Sequence, residues 1–350
     1  MLHQKIRVLV VDDSILFRKV LIDNLSQYEN IEVVGYAINA FDAQRKIPLL
    51  RPDVITLDVE MPGMNGIDFL KQVMPKHPIP VILVSSLNIT VFEALSAGAI
   101  DFVKKPDMSK EHSTTMFVKD LVRKISIASN SKVRVAKPQT VAKNFAPLHM
   151  HSSLQPSRLS SIVIAIGAST GGTEATLSIL KDLPADVPGI VITQHMPPGF
   201  TKMYAERLNR LCKINVKEAV HGDKIVPGQA LLAPGDQQMK VVKIGGEYTV
   251  NCFDGEKVSG HKPSVDVLFN SVADTVRQDA IGIILTGMGH DGADGICKMR
   301  KNGAYTIGQN KESCVVYGMP MVAYNLGGIC IQASCEQISN LIMQRLKTMK

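Results

Sequence analysis

The chain has 350 residues, room for two domains at roughly 100–200 residues each, and its 45% hydrophobic content is that of a packed globular protein. Its longest apolar stretches fall short of the ~20 residues a bilayer span requires, and the N-terminal apolar run at 8–11 is too brief for a secretion signal, so a cytoplasmic protein with no membrane insertion is expected. The net charge of +7 does not mark a nucleic-acid-binding face: Arg123, Lys124, Lys132, Arg134, Lys137, Lys143 and Arg158 match the whole excess, in a stretch from 121 to 173 without one acidic residue.

Residues 1–128 alternate short apolar runs (6–11, 31–36, 54–57, 81–84 and 102–103) with segments of helical spacing such as Leu16, Val20, Leu21 and Leu25. Such alternation predicts a doubly wound, flavodoxin-like (βα)5 domain, its parallel sheet covered on both faces. The first run ends in Asp12-Asp13 and the third in Asp58, which a doubly wound sheet gathers at its C-terminal edge. Carboxylates so placed repel one another unless a divalent cation joins them, and an all-oxygen donor set suits Mg²⁺. Ser85 closes the fourth run and Lys105 precedes Pro106 after the fifth, so a hydroxyl and an ammonium are expected to face the same pocket.

Val10-Val11-Asp12-Asp13-Ser14, Leu57-Asp58-Val59-Glu60-Met61-Pro62-Gly63, Ser85 and Lys105-Pro106 occur in order, and this half resembles the receiver domain of two-component response regulators. The resemblance implies that Asp58 accepts a phosphoryl group from a histidine kinase. It implies Mg²⁺ held by Asp12, Asp13, Asp58 and the backbone carbonyl of Glu60, and a phosphate switch through Ser85, Lys105 and Phe102.

Between 129 and 160 the composition turns to Ser, Pro, Lys, His and Gln without a clear period, which predicts a flexible basic linker. A second alternation follows over 161–350, with apolar runs at 162–166, 190–193 and 281–285 and helices expected from Thr173, Gly199 and Gly292. A mostly parallel α/β domain is expected, interrupted by a hairpin in which 239–244 and 247–252 flank Gly245-Gly246. The six cysteines include no CxxC pair and read as reduced thiols.

Three apolar runs in this half end in groups suited to acyl transfer. Gly167-Ala168-Ser169-Thr170-Gly171-Gly172 follows the first and presents a serine in a strand-to-helix turn. Gln194-His195 follows the second, and Gly287-Met288-Gly289-His290-Asp291-Gly292 the third. On one sheet edge, Ser169 would be the nucleophile, His195 the general base and Asp291 the group that fixes the imidazole tautomer, with Met288 offering its N–H to an oxyanion. Asp291 also stands where an N-cap of its own helix would. The spacing is not the dinucleotide-binding G-x-G-x-x-G. The order Ser, His, Asp is not that of an α/β-hydrolase, and His221 and His261, which could serve other orders, follow no strong buried run.

With Pro263-Ser264-Val265-Asp266-Val267-Leu268-Phe269 and Leu232-Ala233-Pro234-Gly235 added, residues 160–345 resemble the catalytic domain of the protein-glutamate methylesterases of bacterial chemotaxis. The resemblance implies a Ser169–His195–Asp291 triad, Met288 at the oxyanion site, Thr170 orienting the site, and no cofactor for the esterase reaction. It further implies demethylation of glutamate γ-methyl esters and deamidation of selected glutamines on chemoreceptors, under control of a phosphorylated receiver. A receiver-controlled docking module without turnover is the alternative. One departure is local: after Val316-Tyr317-Gly318-Met319-Pro320 the family often carries a charged residue, and here Met321 follows.

Overall fold

Residues 5–86, 90–107, 109, 111–131, 133 and 156–349 are described by the structure, a computed structural model. The chain forms two compact units, one within residues 1–141 and one within 142–350.

The first unit is built from β1 (Ile6–Val11), α1 (Ile15–Leu25), β2 (Ile31–Ala37), α2 (Ala40–Leu50), β3 (Val54–Asp58), α3 (Gly66–Val73), β4 (Val81–Ser85), α4 (Thr90–Ser96), β5 (Asp101–Lys104) and α5 (Glu111–Ala128). Its strands pair in parallel in the order β2-β1-β3-β4-β5, as the alternation predicts. The chain steps outward from β1 to β2 and then back across to β3. Right-handed crossovers therefore send α1 to one face, where it packs on α5, and α2, α3 and α4 to the other. β3 and β4 are buried along their whole length because helices cover both faces. The reversal of strand order opens a crevice between the C-terminal ends of β1 and β3.

The linker expected from 129 to 160 lies mostly outside the described residues. Its last residues carry a helix that its composition did not announce, α6 (Pro156–Ser161), which Arg158 ties to Asp279 at 2.8 Å.

The second unit continues with β6 (Val163–Ala168), α7 (Gly172–Asp182), β7 (Gly189–Gln194), α8 (Phe200–Leu211), β8 (Asn215–Glu218), β9 (Gln229–Leu232), β10 (Gln238–Ile244), β11 (Glu247–Phe253), α9 (Val265–Thr275), β12 (Ala280–Ile284), α10 (Ala293–Lys301), β13 (Tyr305–Gln309), α11 (Met319–Asn325), β14 (Ile331–Ala333) and α12 (Cys335–Thr348). Seven strands form a parallel sheet in the order β14-β13-β12-β6-β7-β9-β8, and β10 pairs with β11 in the expected hairpin. The hydropathy pattern passes over β8, β9, β13 and β14 for a physical reason, β13 because it reads Tyr-Thr-Ile-Gly-Gln with no continuous apolar run. β8 reads Asn-Val-Lys-Glu at the sheet edge with only Val216 buried, and β9 and β14 have four and three residues.

The apolar face of the hairpin (Met239, Val241, Val250) joins Val265, Phe269 and Val272 of α9 in one buried cluster. α9 lies so close to β6 that a Cβ on Gly167 would sit 2.1 Å from Val265 Cγ1 and 3.0 Å from Phe269 Cζ. Gly167→Ala is therefore expected to destabilise this unit by about 1–3 kcal/mol through overpacking, a cost that denaturant unfolding would read.

Candidate active site

Ser169 follows β6, the central strand at which the sheet order reverses, and α7 begins three residues later behind Gly171 at φ +77°. Its backbone is held on three sides. The Ser169 N–H donates to Thr286 O (3.0 Å), and Ser169 O accepts from Gly172 N–H (2.7 Å) and from Gln194 Nε2 (2.9 Å). The turn is thus fixed without use of the hydroxyl.

His195 leaves β7, the neighbour of β6, at the same level: Ala168 pairs with Gln194, and His195 N–H donates to Ala168 O at 3.1 Å. Its Nε2 lies 2.7 Å from Asp291 Oδ2. Asp291 is delivered by the loop after β12, on the other side of β6. It does not cap its own helix, since Gly292 holds the N-cap position of α10. Its carboxylate instead sits at the N-terminus of α9, where it accepts from Ser264 Oγ (2.7 Å), Val265 N–H (2.8 Å) and Asp266 N–H (3.0 Å). Four donors and a helix terminus thus converge on an acceptor-only group. Burial alone would raise its pKa, but the hydrogen bond and charge of His195, the Asp266 N–H and the Ser264 hydroxyl outweigh that and bring it to about 2.

An ionised Asp291 accepts, so the neutral imidazole carries its proton on Nε2 and its lone pair on Nδ1. Nδ1 is buried without a hydrogen-bond partner, and no hydrogen bond joins it to Ser169 Oγ here. The His261 ring lies flat against His195, with centroids 3.7 Å apart and planes 8° apart, and limits rotation of the imidazole. Residue-by-residue reading passes over His261 because it follows no buried strand.

Met288 lies in the loop between Gly287 and Asp291, half exposed, and its N–H meets no hydrogen-bond acceptor among the described residues. Thr170 is buried beside Ser169, and its carbonyl accepts from Thr286 Oγ1 at 3.0 Å.

A second set of polar groups lies at the crevice of the first unit. One oxygen each of Asp12, Asp13 and Asp58 falls within 4.8 Å of the others. Lys105 Nζ bonds Asp58 Oδ2 at 2.6 Å and Asp12 Oδ2 at 3.1 Å, and Glu60 N–H donates to Asp58 Oδ1 at 3.1 Å. Burial pushes the Asp58 carboxyl above the usual carboxylate range, despite the Lys105 hydrogen bond and charge and the Glu60 N–H, and the Asp12 charge adds to the rise. For Lys105, burial disfavours the ammonium, but Asp58 and then Asp12 outweigh it and raise its pKa. One cation for three crowded carboxylates leaves negative charge uncompensated, so the donor set fits a hard divalent cation. Ser85 Oγ is fully buried without a partner, and Phe102 is buried edge-on to Phe92 at 6.4 Å.

Comparison with known proteins identifies both halves of the chain. The CheB methylesterase family model matches residues 164–342, and the response regulator receiver domain model matches residues 8–115. A protein-glutamate methylesterase/protein-glutamine glutaminase of Syntrophomonas wolfei is 52% identical over 326 residues, 93% of each chain. Its Escherichia coli K12 counterpart is 44% identical over 346 residues, 98% of this chain and 97% of that one. The catalytic domain of Thermotoga maritima CheB methylesterase superposes with a TM-score of 0.52 at 34% identity, covering 53% of this chain and 98% of that domain. A receiver followed by a methylesterase domain, matched to relatives along nearly its whole length, places this chain in the family of protein-glutamate methylesterases/protein-glutamine glutaminases.

Proposed function

We propose that the chain is a phosphorylation-activated hydrolase of the bacterial cytoplasm. It cleaves glutamate γ-methyl esters, and deamidates selected glutamines, on methyl-accepting chemoreceptors. The observation that carries this reading is the buried 2.7 Å His195–Asp291 pair, held at the N-terminus of α9 on the edge where Ser169 leaves the adjacent strand.

The Ser169 hydroxyl attacks the ester carbonyl while His195 Nδ1 takes its proton. The resulting oxyanion is met by the Met288 N–H and the N-terminal end of α7. When the tetrahedral intermediate collapses, the C–O bond to the methoxy group breaks and His195 returns the proton, releasing methanol. A water deprotonated by the same nitrogen then attacks the acyl-enzyme, freeing Ser169 and a glutamate carboxylate. With a glutamine substrate the leaving group is ammonia. Asp291 stays ionised throughout and stabilises the imidazolium, and Thr170 holds the turn through its carbonyl. No step needs a cofactor.

In the first unit Asp58 is the phosphoryl acceptor. Asp12, Asp13 and Asp58, with the Glu60 carbonyl, would hold Mg²⁺, which neutralises charge on the phosphoryl oxygens during transfer. Asp58 attacks the phosphorus of a kinase phosphohistidine, the P–N bond breaks and imidazole leaves. Lys105 pairs with the new charge, and the partnerless Ser85 hydroxyl turns to it while Phe102 repacks. The receiver spans residues 1–128 and the esterase 161–350, with the basic linker between them in the sequence, and phosphorylation of the receiver raises the rate of the esterase. Asp58→Asn is expected to keep basal methanol release and lose all stimulation by a phosphodonor; equal stimulation in that variant would refute the gating.

The absent Ser169–His195 hydrogen bond favours a competing reading, a docking module without turnover. Such contacts commonly tighten only when substrate binds. A serine-reactive phosphonate separates the two readings: labelling of Ser169 that requires His195 belongs to the enzyme, and a docking module would take up none.

A further inference from the structure

Thr286 and Gln309 are fully buried beneath the site, and neither takes part in the chemistry above. Every polar group of Thr286 is used. Its N–H donates to Gln309 Oε1 (2.8 Å), and its carbonyl accepts from Ser169 N–H (3.0 Å). Its hydroxyl donates to Thr170 O (3.0 Å), lies 3.2 Å from Val316 O, and accepts from Val316 N–H (3.0 Å). Gln309 is anchored in turn, its Nε2 donating to Ser313 O (2.7 Å) and Ser313 Oγ (3.2 Å). One residue on, Gly287 N–H donates to Val316 O (3.1 Å), while Gly287 O accepts from Gly318 N–H (3.1 Å) and Met319 N–H (2.8 Å). Met288 is the next residue.

Regular pairing of β12 with β6 ends at Ile284 and Gly167, short of the reacting groups. Beyond it, Leu285 N–H reaches Gly167 O (2.8 Å), and the serine turn is joined to the segment leading to Met288 by one backbone bond, Ser169 N–H to Thr286 O, and by the Thr286 hydroxyl on Thr170 O, with Gln309 holding the Thr286 N–H from behind. Oxyanion donors act only within a few tenths of an ångström of their best distance, and a displacement near 1 Å costs on the order of 10²-fold in rate. We infer that Thr286 and Gln309 are positioning residues, a buried polar clamp that holds the Ser169 turn and the Met288 amide in register. The clamp deepens, and rests on, the esterase reading given above.

The test uses the full-length chain with a phosphodonor and methylated receptor membranes. Thr286→Val removes the hydroxyl at near-constant shape, Thr286→Ser keeps it, and Gln309→Met removes the support of the Thr286 N–H. For each, the melting temperature, kcat, KM and rate of phosphonate labelling at Ser169 are measured. The clamp predicts folded Thr286→Val and Gln309→Met proteins with kcat and labelling reduced roughly 10- to 100-fold and KM within about threefold of wild type. It also predicts that Thr286→Ser recovers most of the rate. A folded Thr286→Val or Gln309→Met protein with wild-type kcat overturns the clamp. So does a loss confined to KM, or a Thr286→Ser protein as slow as Thr286→Val. If Thr286→Val does not fold, Gln309→Met and Thr286→Ser decide by the same criteria. Failure of the esterase reading looks different: wild type releases no methanol, or Ser169→Ala still does, whatever the clamp variants show.

Discussion

Ser169→Ala should fold as the wild type does and release no measurable methanol from methylated receptor membranes. The turn it occupies is held by backbone bonds to Thr286 O, Gly172 N–H and Gln194 Nε2, none of which involves the hydroxyl. Removal of Oγ is therefore expected to change stability by no more than about 1 kcal/mol. The reaction loses its nucleophile, and by analogy with other triads the rate should fall by roughly 10⁶-fold. The methanol assay and a denaturant curve on one preparation check both halves of this expectation. Substantial turnover in a folded Ser169→Ala protein would remove the serine from the mechanism.

Asp291→Asn is the second large effect, with kcat expected to fall by about 10³- to 10⁴-fold. The Asp291 carboxylate takes hydrogen bonds from His195 Nε2, Ser264 Oγ, Val265 N–H and Asp266 N–H. An amide can accept through its oxygen alone, and its NH₂ must face either backbone donors or the imidazole. If it donates to Nε2, the tautomer reverses, the proton moves to Nδ1, and the lone pair required by Ser169 is lost. In either orientation one buried N–H of α9 goes unpaired, that of Val265 at the Oδ2 position or that of Asp266 at Oδ1, at a cost of about 1–3 kcal/mol.

The pH dependence follows with a definite sign. The pKa of Asp291 is lowered from 3.8 to about 2 in the folded protein, so its contribution to stability is complete above 3.8 and is lost as pH falls toward 2. That contribution amounts to about 2 kcal/mol, so acid unfolding of wild type should steepen through this interval, and the Asn variant should lack that component. With its pKa at about 2, Asp291 is also ionised throughout the range above about pH 4. An acidic limb in the rate profile within that range therefore belongs to another group, and the Asn variant should lower the rate on the plateau beyond it.

Much of this arrangement is legible in the chain itself. Alternating apolar runs identify both parallel sheets. The polar residues that end those runs (Asp12, Asp13, Asp58, Ser85, Lys105, Ser169 and His195) are the ones found at the two crevices. That works because a strand buried on both faces must be continuously apolar, so the residue that breaks the run marks the functional edge. Asp291 is the instructive exception. Its place just before a helix suggests a cap for that helix, whereas it serves α9, whose first residues lie 25 and 26 positions earlier. A signal for that partner exists, because Ser264 stands before an apolar helical period as an N-cap residue would and does cap α9.

By itself, then, the sequence determined the two α/β units, the family, and the residue types that end each buried strand. The tertiary structure decided which nitrogen of His195 is free, which helix terminus charges Asp291, that His261 lies on the imidazole, and that Thr286 and Gln309 join the serine turn to the Met288 loop. The division has a physical origin. Hydropathy is written locally along the chain, but His195 and Asp291 are 96 residues apart and meet only because β12, β6 and β7 lie side by side, an adjacency set by packing rather than by order in the chain.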